Sequence, residues 1–476
     1  MSLLAVGAVL EGRYAYAIVD GNLEEDALAA LHGRCQHDPS PILAVTVMPG
    51  PQLEQAVPLC RELKQRHPHL TIIWGGYFPT QHWDACLQAA YVDYVVRGHG
   101  EYAFLQLLDS LTGRPLPLNG LADIPGLAYR DATGAPVSNA LAPIPHPQNL
   151  PPWNFAQVPV EKYVRATFLG SRTLGYHSSY GCPFFCNFCA VVNMVNGRWL
   201  PQSAAAVAHI AQEYQQRWHI NAIEFYDNNF FTQEARVAEF SRRIMALGLA
   251  WWGEGRIDTL MQYSDQTWAL MRDAGLKMLF LGAESGSMAT LKRMDKGGQM
   301  SPDKTLAIVS KMKAYNIVPE LSFVMGNPPQ PEQDAHETME FIRQVKALNP
   351  AAEIIMYLYT PVPLAGDLYD DARAEGFAFP QTLDEWVNPD WLNFSQRRST
   401  MLPWVQRPLH QQLYDFERVL NAYYPTATDI RLTGGRRKLL RWVSAWRYHS
   451  RIYRAPLELR ALNRFMAYQR PETSGF

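Results

Sequence analysis

Three thiols fall within eight residues of this 476-residue chain, and no cysteine follows them. The stretch is Gly181-Cys182-Pro183-Phe184-Phe185-Cys186-Asn187-Phe188-Cys189, with cysteines at i, i+4 and i+7. Those spacings fit one helix face, but Gly181 and Pro183 favour a loop. Three thiolates around one point can hold three irons of a [4Fe–4S] cluster, which ordinarily takes four cysteines. The missing fourth ligand leaves one iron open, and an open position distinguishes a catalytic metal site from a structural one. A Cys3His zinc site completed by His177 is the competing reading, although zinc ligands usually come as close pairs from two separate halves. Three structural thiols meeting at this spacing would be coincidence. Cys35, Cys60 and Cys86 show no metal-like spacing.

A loop of this kind needs a rigid edge to stand on. From about residue 167, strand patterns over 173–179, 222–226, 250–256, 278–283, 319–325 and 354–359 alternate with helical patterns over 203–218, 233–247, 264–274, 302–315 and 333–348. Ser203 and Ser264 suit helix N-caps and Pro302 a first helical turn. Six strand–helix units are too few for a closed eight-unit barrel, so residues 167–370 are expected to form an open partial barrel with the cysteine loop after its first strand.

Residues 1–112 read as a second α/β unit. The apolar runs Ile42–Met48, Leu70–Trp74 and Tyr91–Val96 alternate with helical patterns over about 53–66 and 82–90. Strands of this buried type argue for a parallel, doubly wound sheet, which binds ligands at its carboxyl edge. Pro58 would kink the first of those helices or delay its start. Residues 113–166 are proline-rich and read as a linker wrapping a neighbouring domain, with one hairpin around Asp131-Ala-Thr-Gly134. Residues 371–476 read as mostly helical. Eleven Lys/Arg oppose one acid, Glu458, between residues 431 and 470, among Trp442, Trp446, Tyr448 and Tyr453. That region reads as a membrane-surface or anionic-substrate patch, as a basic helix with its aromatics turned inward or, third, as a nucleic-acid contact.

Composition narrows the class. The formal charge is −2, charged residues are 18% and hydrophobic residues 47%, which excludes a largely disordered chain and gives no global attraction to nucleic acid. No run approaches the roughly 18 apolar residues of a spanning helix. The short Leu3–Leu10 run has no basic leader and meets Glu11, so it does not read as a secretory signal, and a cytoplasmic setting is the expectation.

The CxxxCxxC motif, with an aromatic before its last cysteine and a partial barrel behind it, resembles the radical S-adenosylmethionine (radical SAM) superfamily. The sheet before it resembles a cobalamin-binding domain, and the pair resembles the cobalamin-binding radical SAM group of cyclases and methyltransferases. The resemblance implies that S-adenosylmethionine chelates the open iron. One electron, from a donor such as flavodoxin or ferredoxin, would then split it into methionine and a 5′-deoxyadenosyl radical that takes a hydrogen from an unactivated carbon. It implies roles for named residues as well. Phe188 borders the adenine or packs the loop. Asp227 contacts cofactor or substrate, or caps a helix. Arg256 pairs with the methionyl carboxylate, or with Glu254 or Asp258. Gly282-Ala-Glu-Ser-Gly286 resembles the family's GxES signature, making Glu284 and Ser285 cofactor-binding. Gly326-Asn-Pro-Pro329 resembles its glycine–proline turn, with Gly326 beside the cofactor, and Tyr359–Pro363 its closing loop.

In the preceding domain Thr46, Gly75, Gly76, Gly98 and Glu101 stand at cobalamin signatures. The pattern departs in three places. No D-x-H-x-x-G supplies a histidine ligand, His99 stands where glutamate is common, and the family's first strand has no counterpart, which would leave a sheet edge open. The reading that follows is a cobalamin-dependent radical SAM C-methyltransferase acting on a small molecule; a large, hydrophobic, anionic one suits the 12% aromatic content and the basic C-terminal region. An oxidative cyclase on a tetrapyrrole- or lipid-like substrate is the alternative within enzymes. A zinc-holding binding protein is the alternative outside them.

Overall fold

The computed structural model describes residues 1–115, 120–294, 300–363, 366–395, 401–430, 432–466 and 468. Pro117 of the proline-rich stretch and Arg431 and Arg470 of the basic region lie outside the described residues. The chain divides into two compact units, one of residues 1–159, 193–195 and 378–401, the other of residues 160–192, 196–377 and 402–476.

In the first unit a five-stranded sheet runs in sequence order: β1 Ile42–Thr46, β2 Thr71–Gly75, β3 Tyr94–Val96, β4 Leu127–Arg130 and β5 Pro136–Ser138. The first three strands are parallel and the last two antiparallel. Ile72, Ile73 and Trp74 are all buried, as expected of a strand covered on both faces. The helix Pro51–Arg66 starts at its proline, contains Pro58, and buries Leu53, Ala56, Val57, Cys60 and Leu63. Among the described residues no strand precedes β1, which pairs on one side only.

Two boundaries differ from the sequence reading. The hairpin expected inside a linker is β4–β5, and it extends the first sheet. Asp131 Oδ1 closes its turn by accepting from the backbone N–H groups of Thr133 (2.8 Å) and Ala135 (3.0 Å). Pro136 is tolerated because it opens an edge strand, where no ladder hydrogen bond is lost. Arg130 then ties β4 down by donating to the carbonyls of Leu87, Ala89 and Val92. Residues 378–401 also leave the expected C-terminal domain for the first unit. Leu383 and Trp386 join the core of Trp74 and Phe78, with Trp386 edge-on to Phe78 at 5.0 Å. A capping box between Thr382 and Glu385 starts their short helix.

The second unit is built on six parallel strands, again side by side in sequence order: β6 Thr173–Tyr176, β9 Ala222–Phe225, β10 Ala250–Gly255, β11 Leu276–Glu284, β12 Val318–Met325 and β13 Glu353–Leu358. All five pairings are parallel, as in a partial barrel. The first strand is shorter than expected. It stops at Tyr176, and Ser179–Gly181 (β7) pairs antiparallel with Trp199–Pro201 (β8) as a separate ribbon. Ser203 and Ser264 cap the helices Ala204–Trp218 and Asp265–Asp273, and Pro302 opens Pro302–Ala314. Phe225, Phe230, Phe231, Phe240 and Trp251 form the aromatic core beside β9 and β10. Each such ring contributes about 2 kcal/mol by leaving water.

The helices Arg407–Tyr423, Gly434–Ser450 and Leu457–Phe465 complete this unit. Among the described residues no helix is long and apolar enough to cross a membrane. At the amino end of β13, Glu353 accepts from the backbone N–H (2.9 Å) and hydroxyl (2.8 Å) of Thr428. Lys346 donates to the carbonyls of Pro350 and Ala352 close by. Burial pushes the Lys346 ammonium down to about 7, against the pull of Glu353. The unfolded chain, with an ordinary lysine near about 10.4, therefore binds one more proton between those values, so stability rises with pH across that window. Urea unfolding at pH 7 and pH 9 is expected to show this gain in the natural chain and to lose it in Lys346→Met.

Candidate active site

The cysteine loop is a loop, as its glycine and proline predict, running from the end of β7 to the short helix Val191–Val195. Its base is fastened twice. The β7–β8 ribbon pairs Gly181 with Trp199 and Ser179 with Pro201. Below it, the fully buried Asp227 accepts from the Ser178 backbone N–H (3.0 Å), the Ser178 hydroxyl (2.8 Å) and the Ser179 hydroxyl. Arg236 donates to the same Ser178 hydroxyl (2.6 Å) and to the Gln202 carbonyl (2.9 Å). Asp227 is thus neither a helix cap nor open toward a ligand. Its lone pairs hold the segment that enters the loop.

Cys186 is buried, and Cys182 and Cys189 are half-buried. The Cys189 thiol is pushed up to about 12, first by burial and then by the negative charges of Cys186, Cys182 and Glu284. The three sulfurs and Glu284 therefore share one electrostatic neighbourhood, and three thiolates there need a compensating cationic group. Iron bound to all three would supply it and reverse the shift. Among the described residues no three His, Cys, Asp or Glu side chains converge as a single metal ion would require, whereas a cubane spreads its sulfur ligands over separate irons. His177 packs its ring against Tyr226, 6.2 Å between centroids. The donor set fits a three-cysteine cluster.

The other expected positions gather at the carboxyl ends of the strands. The register of β11 against β12 slips between Gly282 and Glu284, and Glu284 sits at φ +65°, a left-handed conformation uncommon outside glycine. A bulge at a strand end re-aims the side chain that follows it. Ser285 differs from the expectation. Its buried hydroxyl donates to Asp334 (3.0 Å), shares a hydrogen bond with Thr338 (3.1 Å) and accepts from the Ser287 N–H (3.0 Å), so it anchors the turn. Gly326 takes φ +69° and its carbonyl accepts from the Trp404 indole (2.9 Å). Phe188 is half-buried in the loop. The Arg256 guanidinium forms the Asp258 pair (3.0 and 2.6 Å) and also donates to Cys186 Sγ (3.1 Å).

Asp334 and Asn229 escaped the sequence reading as site residues, and Tyr359 entered it only as the start of the closing loop. Asp334 accepts from Ser285, from the Thr290 hydroxyl (2.8 Å) and from the backbone and side chain of Asn327 (3.1 and 2.9 Å), joining the β11 and β12 turns. Asn229 and Tyr359, at the carboxyl ends of β9 and β13, are buried, and the Asn229 amide and the Tyr359 hydroxyl have no hydrogen-bond partner among the described residues. Each unmet group costs about 1–3 kcal/mol. The run Asp227-Asn-Asn229 after an apolar strand was the available signal. A small cavity beside Lys346, Glu353, Tyr424 and Arg437 lies at the amino end of β13, away from these groups.

In the first unit the expected residues form one row. Thr46 pairs with Gly75 and Gly75 with Val96 at the carboxyl ends of β1, β2 and β3. Gly76 has φ +95°, and a Cβ there would lie 2.7 Å from Thr46 Oγ1, so a side chain would fill this cradle. The Gly98 N–H donates to Thr80 (2.9 Å). Glu101 is buried at the start of the helix Glu101–Leu111, and its Oε2 has no partner. An open backbone row with one orphaned carboxylate oxygen fits a cofactor that brings amide donors, as cobalamin does.

Comparison with known proteins agrees with both halves. Residues 1–108 match the B12 binding domain model and residues 176–342 the radical SAM superfamily model. The chain thus carries a B12-binding domain followed by a radical SAM domain. The cofactors of that pairing are a [4Fe–4S] cluster, S-adenosylmethionine and cobalamin. Over 260 residues it is 28% identical to an uncharacterized methyltransferase of Pyrococcus horikoshii, covering 53% of each chain. Over 303 residues it is 28% identical to the anaerobic magnesium-protoporphyrin IX monomethyl ester cyclase of Synechocystis, covering 62% of this chain and 57% of that one. The chain thus spans between half and three-fifths of these relatives. The radical S-adenosylmethionine methyltransferase TsrM of Kitasatospora setae shares the fold, with TM-score 0.59, 18% identity, and coverage of 76% of this chain and 71% of that one.

Asp334→Asn keeps the shape of the carboxylate but turns an amide donor toward donors already present. It is expected to lower stability by about 2 kcal/mol and to weaken S-adenosylmethionine binding several-fold, measured by thermal melting and equilibrium dialysis.

Proposed function

We propose that this chain is a cytoplasmic, cobalamin-dependent radical SAM methyltransferase acting on an unactivated carbon of a small molecule. The observation that carries the reading is the three-thiol loop at the carboxyl edge of the parallel strands, with Glu284 in its electrostatic reach and no fourth cysteine in it. When bound, the cluster and its nucleoside supply a carbon-centred oxidant, and cobalamin supplies a methyl carrier. The chain's own residues do the rest. Cys182, Cys186 and Cys189 hold the irons, Glu284 and the Gly326 turn receive the polar end of S-adenosylmethionine, and Asp334 keeps those two turns in register. In the first unit Thr46, Gly75, Gly76, Gly98 and Glu101 line the cobalamin edge. The 28% identity to a cyclase supports, as a second reading, an oxidative cyclisation with the same cofactors. A flavodoxin or ferredoxin would deliver the electron.

Anaerobic reconstitution tests this directly. The natural chain should turn brown, bind about four irons per chain, and release 5′-deoxyadenosine from S-adenosylmethionine. Replacing Cys182, Cys186 and Cys189 with alanine should abolish all three readouts. A colourless protein holding one zinc, or cleavage that persists in the triple variant, overturns the assignment. With methyl-deuterated S-adenosylmethionine, an extract metabolite gaining a labelled methyl group selects methyl transfer, and loss of hydrogens without that gain selects cyclisation.

The basic C-terminal helix supports a proposal about partners. Helix Gly434–Ser450 buries Leu440, Ser444, Arg447 and Tyr448 but presents Leu439, Trp442 (77% exposed) and Trp446 (52%) on its outer side, flanked by the exposed Arg436, Lys438 and Arg441. Tyr448, and beyond the helix Tyr453 against Phe416, follow the inward-aromatic reading. Outward indoles among unopposed cations suit an anionic, apolar surface such as a lipid headgroup layer, or an anionic hydrophobic substrate. Full-length protein should co-float with phosphatidylglycerol vesicles and not with phosphatidylcholine vesicles. Trp442→Ala with Trp446→Ala should lower the bound fraction at least fivefold, and equal flotation of the double variant refutes lipid contact.

A further inference from the structure

We infer that Arg256 sets how readily the iron–sulfur cluster accepts its electron, an inference that rests on the cluster reading above. Arg256 follows the last residue of β10 and is 6% exposed. Each nitrogen of its planar fork directs one N–H. Nε and Nη2 donate to the two oxygens of Asp258 at 3.0 and 2.6 Å, and Nη1 donates to Cys186 Sγ at 3.1 Å. Phe184, inside the cysteine loop, lies with its ring centre 3.8 Å from the guanidinium carbon and shields this contact from water. Asp258 is itself fixed by the Thr259 N–H (3.0 Å). The arginine therefore cannot turn its Nη1 donor away from Cys186 without breaking a bidentate pair in a buried setting.

A donor aimed at a ligand sulfur acts on the redox equilibrium. Electron density on the thiolate ligands rises when a cluster is reduced, so a hydrogen bond to one of them favours the reduced state and raises the potential. Asp258 neutralises the guanidinium and limits the effect to the directed N–H. Arg256 is thus a positioning and tuning residue for the cluster, and Asp258 sets both its orientation and its net charge. A purely structural ion pair bracing the loop would make a different prediction, since it would change how much cluster is retained and leave the potential of the retained cluster alone.

The test is a redox titration, followed by electron paramagnetic resonance, of reconstituted full-length protein and of Arg256→Gln, Arg256→Lys and Asp258→Asn, with signal normalised to bound iron. Arg256→Gln should lower the potential, changing the reduced-to-oxidised ratio at fixed applied potential by at least tenfold, about 59 mV for a one-electron couple. Arg256→Lys should fall between the two. Asp258→Asn should shift the potential the opposite way, because it leaves the cation uncompensated. If Arg256→Gln retains too little cluster to titrate, the opposed shifts of the other two variants carry the test. Unchanged potentials, or shifts of one sign in all variants, overturn the tuning role while leaving the cluster assignment standing. A natural chain that binds no iron overturns both.

Discussion

The site depends on holding three sulfurs, one buried and two half-buried, close to one another and to a carboxylate, at a cost in burial and charge. Cys189 is the measure of that cost, its thiol raised by burial and by Cys186, Cys182 and Glu284 together. Left to itself such a loop would turn its thiols toward water. The fold prevents this by fixing the loop at its base, through the β7–β8 ribbon and the buried Asp227, Ser178, Ser179 and Arg236 network. These hydrogen bonds are short, buried and charge-assisted, the kind that loses most when one partner is removed. The loop is therefore held ready for a metal group whose charge then offsets the repulsion.

The rest of the carboxyl edge follows the same plan. Backbone bends and unmet polar groups occur there too: the bulge and left-handed backbone at Glu284, the turned backbone at Gly326, and the side chains of Asn229 and Tyr359, which have no hydrogen-bond partner among the described residues. Strained and unsatisfied groups persist only where surrounding structure enforces them. Asp334 does much of that enforcing, since one carboxylate takes hydrogen bonds from the turns after two adjacent strands. Burial pushes its carboxyl up, and the hydrogen bonds from Asn327, Thr290 and Ser285 work against that push.

The first unit applies the same logic with backbone in place of side chains. Thr46, Gly75 and Val96 stand in register along one edge, and the glycine after β2 keeps that edge open. Its core is completed from two distant stretches of chain, the β4–β5 hairpin and the helix containing Leu383 and Trp386.

The sequence by itself determined the elements and the chemistry. Six strands with their helices, the loop that carries the three cysteines and the hairpin about Asp131 were legible, because periodicity, caps and turn residues are local signals, whereas Thr46, Gly75, Gly76 and Gly98 were singled out by resemblance alone. Tertiary structure alone decided where distant groups meet. It turned Asp227 and Ser285 into anchors, since their partners Ser178, Asp334 and Thr338 lie about 50 residues away in the chain. It moved residues 378–401 to the first unit, because Trp386 finds its apolar partners in Trp74 and Phe78 some 300 residues upstream. It also brought Arg256 to Cys186, which no spacing encodes. Local pattern reports which face of an element is apolar, and only the packed chain decides which hydrogen-bond donors and rings that face will meet.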